Sequence, residues 1–244
     1  MRMKYLNRLL FFVAVIGIYS CTKNDYYKDS STHDPNFNGN IMQYLESRSK
    51  DSTSLFDSLV YIIKLSGLEP TLSNDKITFF APTDRSIGKA ILALNRNLFA
   101  EGQDTILKMD QIKPEVWSKL LKGYMIEGDF GLVDFPQMDT INLVSYGGRL
   151  HQTYDSDLVM NVGVVYHDFI NGSTRINYGG HRQLLYSFIP DISRPKSNLI
   201  NGYISTSNIK PTNGRIHVID YIRHGFGFMD IRFIQLVKEY GINY

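Results

Sequence analysis

The chain has 244 residues, 43% of them hydrophobic, and 26 basic residues set against 24 acidic ones leave a formal charge of +2. That length holds one good core or two small domains. No Lys/Arg stripe interleaved with aromatics appears, which argues against a nucleic-acid partner, and a single cysteine excludes any intramolecular disulfide.

Arg2, Lys4 and Arg8 precede an unbroken apolar run from Leu9 to Ile18. The run is short for a permanent span and has the layout of a secretory signal. Losing residues 1–20 takes the formal charge from +2 to −1. Cys21 follows at once, in Ile18-Tyr19-Ser20-Cys21. This resembles a bacterial lipoprotein signal, in which the cysteine becomes the first mature residue and carries acyl chains whose methylenes bury in the membrane. A plain signal peptide with an incidental cysteine is the alternative. Residues 21–39 are polar, with Asp, Asn, Ser, Gly and Pro, and read as a tether. Asp25 and Asp29 resemble the surface-export signals of Bacteroidota lipoproteins. The expected location is therefore the outer membrane, at the cell surface.

A short helix is expected over 40–48, with Ile41, Tyr44 and Leu45 inward. A stronger one runs from Ser54 to Ser66, with Leu55, Leu59, Ile62 and Ile63 on one face. Gly67 suits its C-cap, and Pro70 is expected to block a restart. Ile77-Thr78-Phe79-Phe80 is a β-branched and aromatic strand that stops at Pro82. Thr83 and Asp84 are placed to cap the next helix, which carries Ile87, Ala90, Ile91 and Leu94 inward to about Asn95. Residues 96–112 are ambiguous. Pro114 opens another helix, with Val116, Trp117, Leu120, Leu121 and Tyr124 along one side. From Leu132 the pattern becomes short alternating runs broken at Gly147-Gly148, Asn171-Gly172, Gly179-Gly180, Asn201-Gly202 and Asn213-Gly214, which predicts hairpins. Helices with one early strand, then an antiparallel block, make an α+β domain over 40–224. Residues 225–244 read as a C-terminal extension, helical at 231–239.

Three stretches together resemble the fasciclin domain. Ile77 to Asp84 looks like its first signature, a strand running into Ala-Pro-Thr and an acidic residue. Asn213-Gly214-Arg215-Ile216-His217-Val218-Ile219-Asp220 looks like its second, and Leu120 to Gly128 fits the segment between. The resemblance implies helices packed on a mostly antiparallel sheet wedge. It makes Thr83, Asp84, Tyr124, Asn213, Gly214, His217 and Asp220 structural residues. Two positions depart from the family pattern. Met125 stands where a histidine usually follows the tyrosine, and Asn208-Ile209 stands where the family often has an Asp-Ile linked to adhesion. Residues from about 155 to 200 are longer than the family needs, which suggests an added hairpin or loop.

His217, on an apolar strand, is expected to hold the fold rather than bind a ligand. The six histidines show no i,i+4 pair, and neither metal nor cofactor is expected. There is no nucleophile elbow and no phosphate-cradling loop, so no catalytic residue is assigned. Scattered carboxylates leave a polysaccharide-active enzyme as the rival from another class. Aromatics are the remaining signal. Tyr154, Tyr166, Tyr178, Tyr186 and Tyr203 suit stacking on sugars or gripping a protein, although strand alternation sends half of such a set inward. The resemblance implies a non-catalytic adhesion or binding module for an extracellular protein or glycan. The alternative within binding proteins is an accessory lipoprotein of an outer-membrane nutrient transporter. Changing Cys21→Ala is expected to move the protein from the membrane to the soluble fraction on cell fractionation, and retention in the membrane would refute lipid anchoring.

Overall fold

Strand β1 (Ile77–Ala81) has all five residues buried. It pairs antiparallel with β2 (Met125–Glu127) and parallel with β9 (Gly214–Ile219). In that parallel register Ile77 faces Gly214 and Phe80 faces His217. The two signature stretches, far apart in sequence, therefore lie side by side. The computed structural model describes residues 34–49 and 54–243. Cys21, the apolar run and residues 21–33 of the tether lie outside them.

The other strands are β3 (Arg149–Gln152), β4 (Val159–Tyr166), β5 (Phe169–Asn171), β6 (Thr174–Ile176), β7 (Arg182–Phe188) and β8 (Ile200–Ile209). Seven strands form one sheet in the order β2-β1-β9-β8-β7-β4-β3, and β5 and β6 form a separate two-stranded arm. Every pairing between these strands except β1 with β9 is antiparallel. Just past β3, the Tyr154 N–H donates to Met125 O at 2.9 Å. The sheet thus twists until its two edges approach each other.

Among the described residues six helices accompany the sheet: α1 (Ile41–Ser47), α2 (Asp57–Leu65), α3 (Glu69–Asn74), α4 (Asp84–Ala100), α5 (Pro114–Lys122) and α6 (Asp230–Tyr240). α3 overturns the expected block at Pro70. A proline in the first helical turn forgoes an N–H that has no intrahelical partner anyway. α4 runs on past Asn95 to Ala100, since no breaker interrupts it. Asn201-Gly202 is no hairpin turn but lies within β8. Gly202 is needed there because a Cβ would sit 2.8 Å from Tyr186 O.

Aromatic rings fill the core. Phe80 stacks on Tyr186 with centroids 3.9 Å apart, and on His217 at 5.3 Å. Tyr124 stacks on Phe226 and Phe228, and Trp117 meets Phe226 and Phe233. Residues 225–244, read from sequence as an extension, thus supply Phe226, Phe228, Phe233 and Val237 to the same core. Their apolar side chains recur at helical spacing, and only packing against α4 and α5 removes them from water.

Two neutral histidines lie inside. His217 donates from Nε2 to Phe130 O at 2.9 Å and accepts the Asn208 N–H at Nδ1. Burial pushes its pKa down from 6.5 to about 4. The Tyr124 hydroxyl accepts the Gly227 N–H at 2.7 Å and donates to His224 Nε2 at 2.9 Å. Burial, with Lys89 nearby, takes His224 down to about 3. Above the ordinary imidazole pKa both states are neutral and full stability is present. As pH falls below it, the unfolded chain takes up protons that the folded chain refuses, and stability is lost. Each histidine contributes a slope of about 1.4 kcal/mol per pH unit. Urea unfolding between about pH 6.5 and pH 5 should show this acid loss, and His217→Gln should reduce the slope by one proton's worth.

Candidate aromatic binding site on the β5–β6 arm

The five candidate tyrosines part company in the structure. Tyr186 is wholly buried, stacked on Phe80 with its hydroxyl donating to Gly123 O at 2.7 Å. It has no surface to offer a ligand, because alternation along β7 turns it inward. Tyr154 is half-buried and donates to Asp75 Oδ2 at 2.7 Å. Tyr203 lies half-buried under the Arg223 guanidinium. Tyr166 and Tyr178 meet at one place, the root of the arm.

Ile209 belongs to the interior, and Asn208 is half-buried. Asn208 Oδ1 accepts the Leu132 N–H at 2.8 Å, and Ile209 is 7% exposed. Asn208 takes a left-handed backbone with φ 65°, which asparagine tolerates better than most residues. It braces the 3₁₀ turn Leu132–Asp134 instead of facing a partner.

The signature residues are braces too. The Ser86 hydroxyl accepts the Thr83 N–H, which closes the start of α4. Asp84 does not cap its own helix. Its carboxylate accepts the N–H groups of Asp57 at 2.8 Å and Leu59 at 3.1 Å, capping the adjacent start of α2. Burial nevertheless raises its pKa against those hydrogen bonds. Asn213 Oδ1 accepts the Ile41 N–H, and its amide donates to Leu72 O and Asp75 O. Asp220 accepts the Ile222 N–H at 3.0 Å, at the end of β9.

The arm is anchored from within. Asp168 accepts the Tyr178 N–H at 2.8 Å and Arg175 Nε at 2.7 Å. The first of these contacts, then the second, holds its carboxyl below the usual range. Arg182 lies 3.6 Å above the Tyr166 ring and donates to Tyr178 O. The His167 and His181 rings stack at 4.1 Å, and desolvation with His167 alongside lowers the His181 pKa. Tyr178 is pinned at φ 58°, a costly backbone for an aromatic residue.

Facing the arm is the loop 139–146. The Met138 N–H donates to Val164 O and ties the start of that loop to β4. Asp139 and Asn142 turn the loop by accepting backbone N–H groups. Tyr146 then meets Tyr178 with ring centroids 6.5 Å apart, and the two rings are 40% and 44% exposed. Between loop and arm lies a cleft of about 400 Å³ lined by Ile141, Tyr166, His167, Arg175 and Tyr178 among others. Ile141, Val144, Ile170 and Ile176 add exposed apolar surface. The sequence reading missed Tyr146 and its loop. The available signal was a run of apolar side chains, Ile141, Leu143, Val144 and Tyr146, in a stretch with no strand or helix period.

A model of the fasciclin domain matches residues 54–177. This chain belongs to the fasciclin family. The match to the fasciclin model ends at the arm, and β7, β8 and β9 beyond it complete the sheet. The family fold is α+β with a large, mostly antiparallel sheet. Among solved structures, a FAS1 domain pair from the insect cell adhesion molecule Fasciclin I aligns over 75% of this chain at 16% identity, with a TM-score of 0.45. The alignment spans 50% of that chain's length. No curated protein matches. Fasciclin domains are in general adhesion domains without catalysis.

Asp168→Ala should loosen the arm alone. Amide hydrogen exchange is expected to rise within 167–180 and stay unchanged in β1 and β9, with little change in Tm.

Proposed function

We propose that this fasciclin-family protein is a non-catalytic envelope lipoprotein. Cys21 carries its lipid and holds it at the outer membrane, on the cell surface. The domain binds an extracellular protein or glycan through the β5–β6 arm and the 139–146 loop. The observation that carries this reading is the pair of exposed tyrosine rings, Tyr146 and Tyr178, in contact with each other, with Tyr178 lining the cleft and held there by the Asp168 and Arg182 contacts. Aromatic rings fixed before binding present large contact area at low entropic cost. Cleft polar groups such as Arg175 and His167 are suited to hydroxyl or backbone partners.

A second reading has its own support. Ile141 and Val144 are 96% and 87% exposed. Aliphatic tips of this kind suit a protein partner better than a sugar, and exposed apolar patches mark such interfaces. That favours an accessory role at an outer-membrane transporter for nutrient glycans.

The two readings part on one experiment. Full-length protein is used to capture partners from native membranes and is also probed on a glycan array. Tyr146→Ala combined with Tyr178→Ala should lower whichever interaction exists by about tenfold or more. A stoichiometric transporter component supports the accessory role, and a specific glycan supports adhesion to carbohydrate. Undiminished capture by the double variant removes the arm from the function.

A further inference from the structure

The solvent face of α4 carries a second feature. Arg85, Lys89, Leu92, Arg96 and Phe99 recur at spacings of four and three, which places them in one row along the helix. All five are exposed. Beside the row runs the segment 221–225, where Ile222 and Arg223 are also exposed. The Lys89 ammonium joins the two by donating to Tyr221 O at 2.5 Å and Ile222 O at 3.2 Å. A cleft of about 370 Å³ lies between them, with Lys89, Leu92 and Arg96 on one wall, Ile222 and Arg223 on the other, and buried His224 in the lining.

The charges here are one-sided. Among the described residues, Arg85, Lys89, Arg96 and Arg223 form no ion pair. Arg85 and Arg223 lie instead over the rings of Tyr221 and Tyr203, at 4.5 Å and 4.8 Å. The nearby carboxylates are mostly committed elsewhere. Asp84 is turned to the α2 backbone and Asp220 to the Ile222 N–H. Asp230 is the carboxylate in the lining. Like charges four apart on a helix, as at Arg85 and Lys89, destabilise it slightly. Among the described residues no ion pair offsets that repulsion.

We propose that this cleft is a binding groove for an anionic polysaccharide, a chain bearing carboxylate or sulfate groups. Guanidinium forks match such oxyanions in two-point hydrogen bonds. Leu92 and Ile222 supply apolar walls for the C–H faces of the sugar rings. The cations line two facing walls rather than one plane, which fits a chain lying in a groove better than a flat lipid surface. The groove shares no residue with the arm, so either site can fail without the other.

The test uses the full-length protein with heparin, polygalacturonate and uncharged dextran, and with phosphatidylglycerol vesicles. Binding to the two polyanions is expected, weakening at least about tenfold between about 50 and about 500 mM salt. Arg96→Glu with Arg223→Glu should reduce affinity by about tenfold or more, and the neutral Arg96→Gln with Arg223→Gln by a smaller factor. Arg149→Glu with Lys210→Glu, an equal charge change elsewhere on the surface, should leave affinity within about twofold. Equal losses in the two charge-reversed proteins, equal binding to dextran, or binding to vesicles alone would each overturn the groove.

Discussion

The fold depends on a close approach between two backbones. Where β9 begins, Gly214 lies so near β1 that a Cβ would fall 1.9 Å from Ile77 O. Only glycine allows the parallel pairing to start there. The preceding residue secures the junction, with the Ile77 N–H donating to Asn213 O. The Asn213 side chain then gathers the start of α1 and the end of α3. One Asn-Gly pair thus sets the register of the central strands and locks two helices against them.

The rest of the core follows from that pairing. With β1 and β9 aligned, Phe80 stacks between Tyr186 and His217. His217 is then positioned to bond Phe130 O and the Asn208 N–H, which fixes the turn after β2 and the bulged end of β8. Tyr124, His224 and Gly227 form a second polar knot one strand away. His224 reaches the Tyr124 hydroxyl from the C-terminal segment. Buried polar groups tolerate burial only when paired, and here the pairing also draws residues 224–240 into the core.

The arm and the α4 groove are built on a different principle. Their side chains do not hold the sheet together. They are exposed aromatic, aliphatic or cationic groups fixed by local contacts, such as Asp168 to Tyr178 and Lys89 to Tyr221. Binding surfaces on a rigid frame can vary without unfolding it. On the proposed reading, the residues that resemble the family signatures are braces and the partner-facing surface lies apart from them.

Much of this was legible from the residues alone. The strand at Ile77, its stop at Pro82, the helix after Thr83 and the α+β order are local consequences of propensity, capping and period. The resemblance to the fasciclin family was also legible, and the family match covers the first of its two signatures. What could not be read was which partner each polar or aromatic group would meet. Asp84 caps α2 rather than its own helix, because the tight corner at Pro82 turns its carboxylate toward the N–H groups of Asp57 and Leu59. Tyr186 and Tyr178 are the same residue type on neighbouring turns and strands, yet one is core and the other rim, since only the sheet decides which side of a strand faces the helices. Tyr146 went unnoticed because its neighbour is Tyr178, 32 positions on. Local chemistry is written residue by residue, whereas burial and partnership are properties of distant segments brought together, and those only the tertiary structure decides.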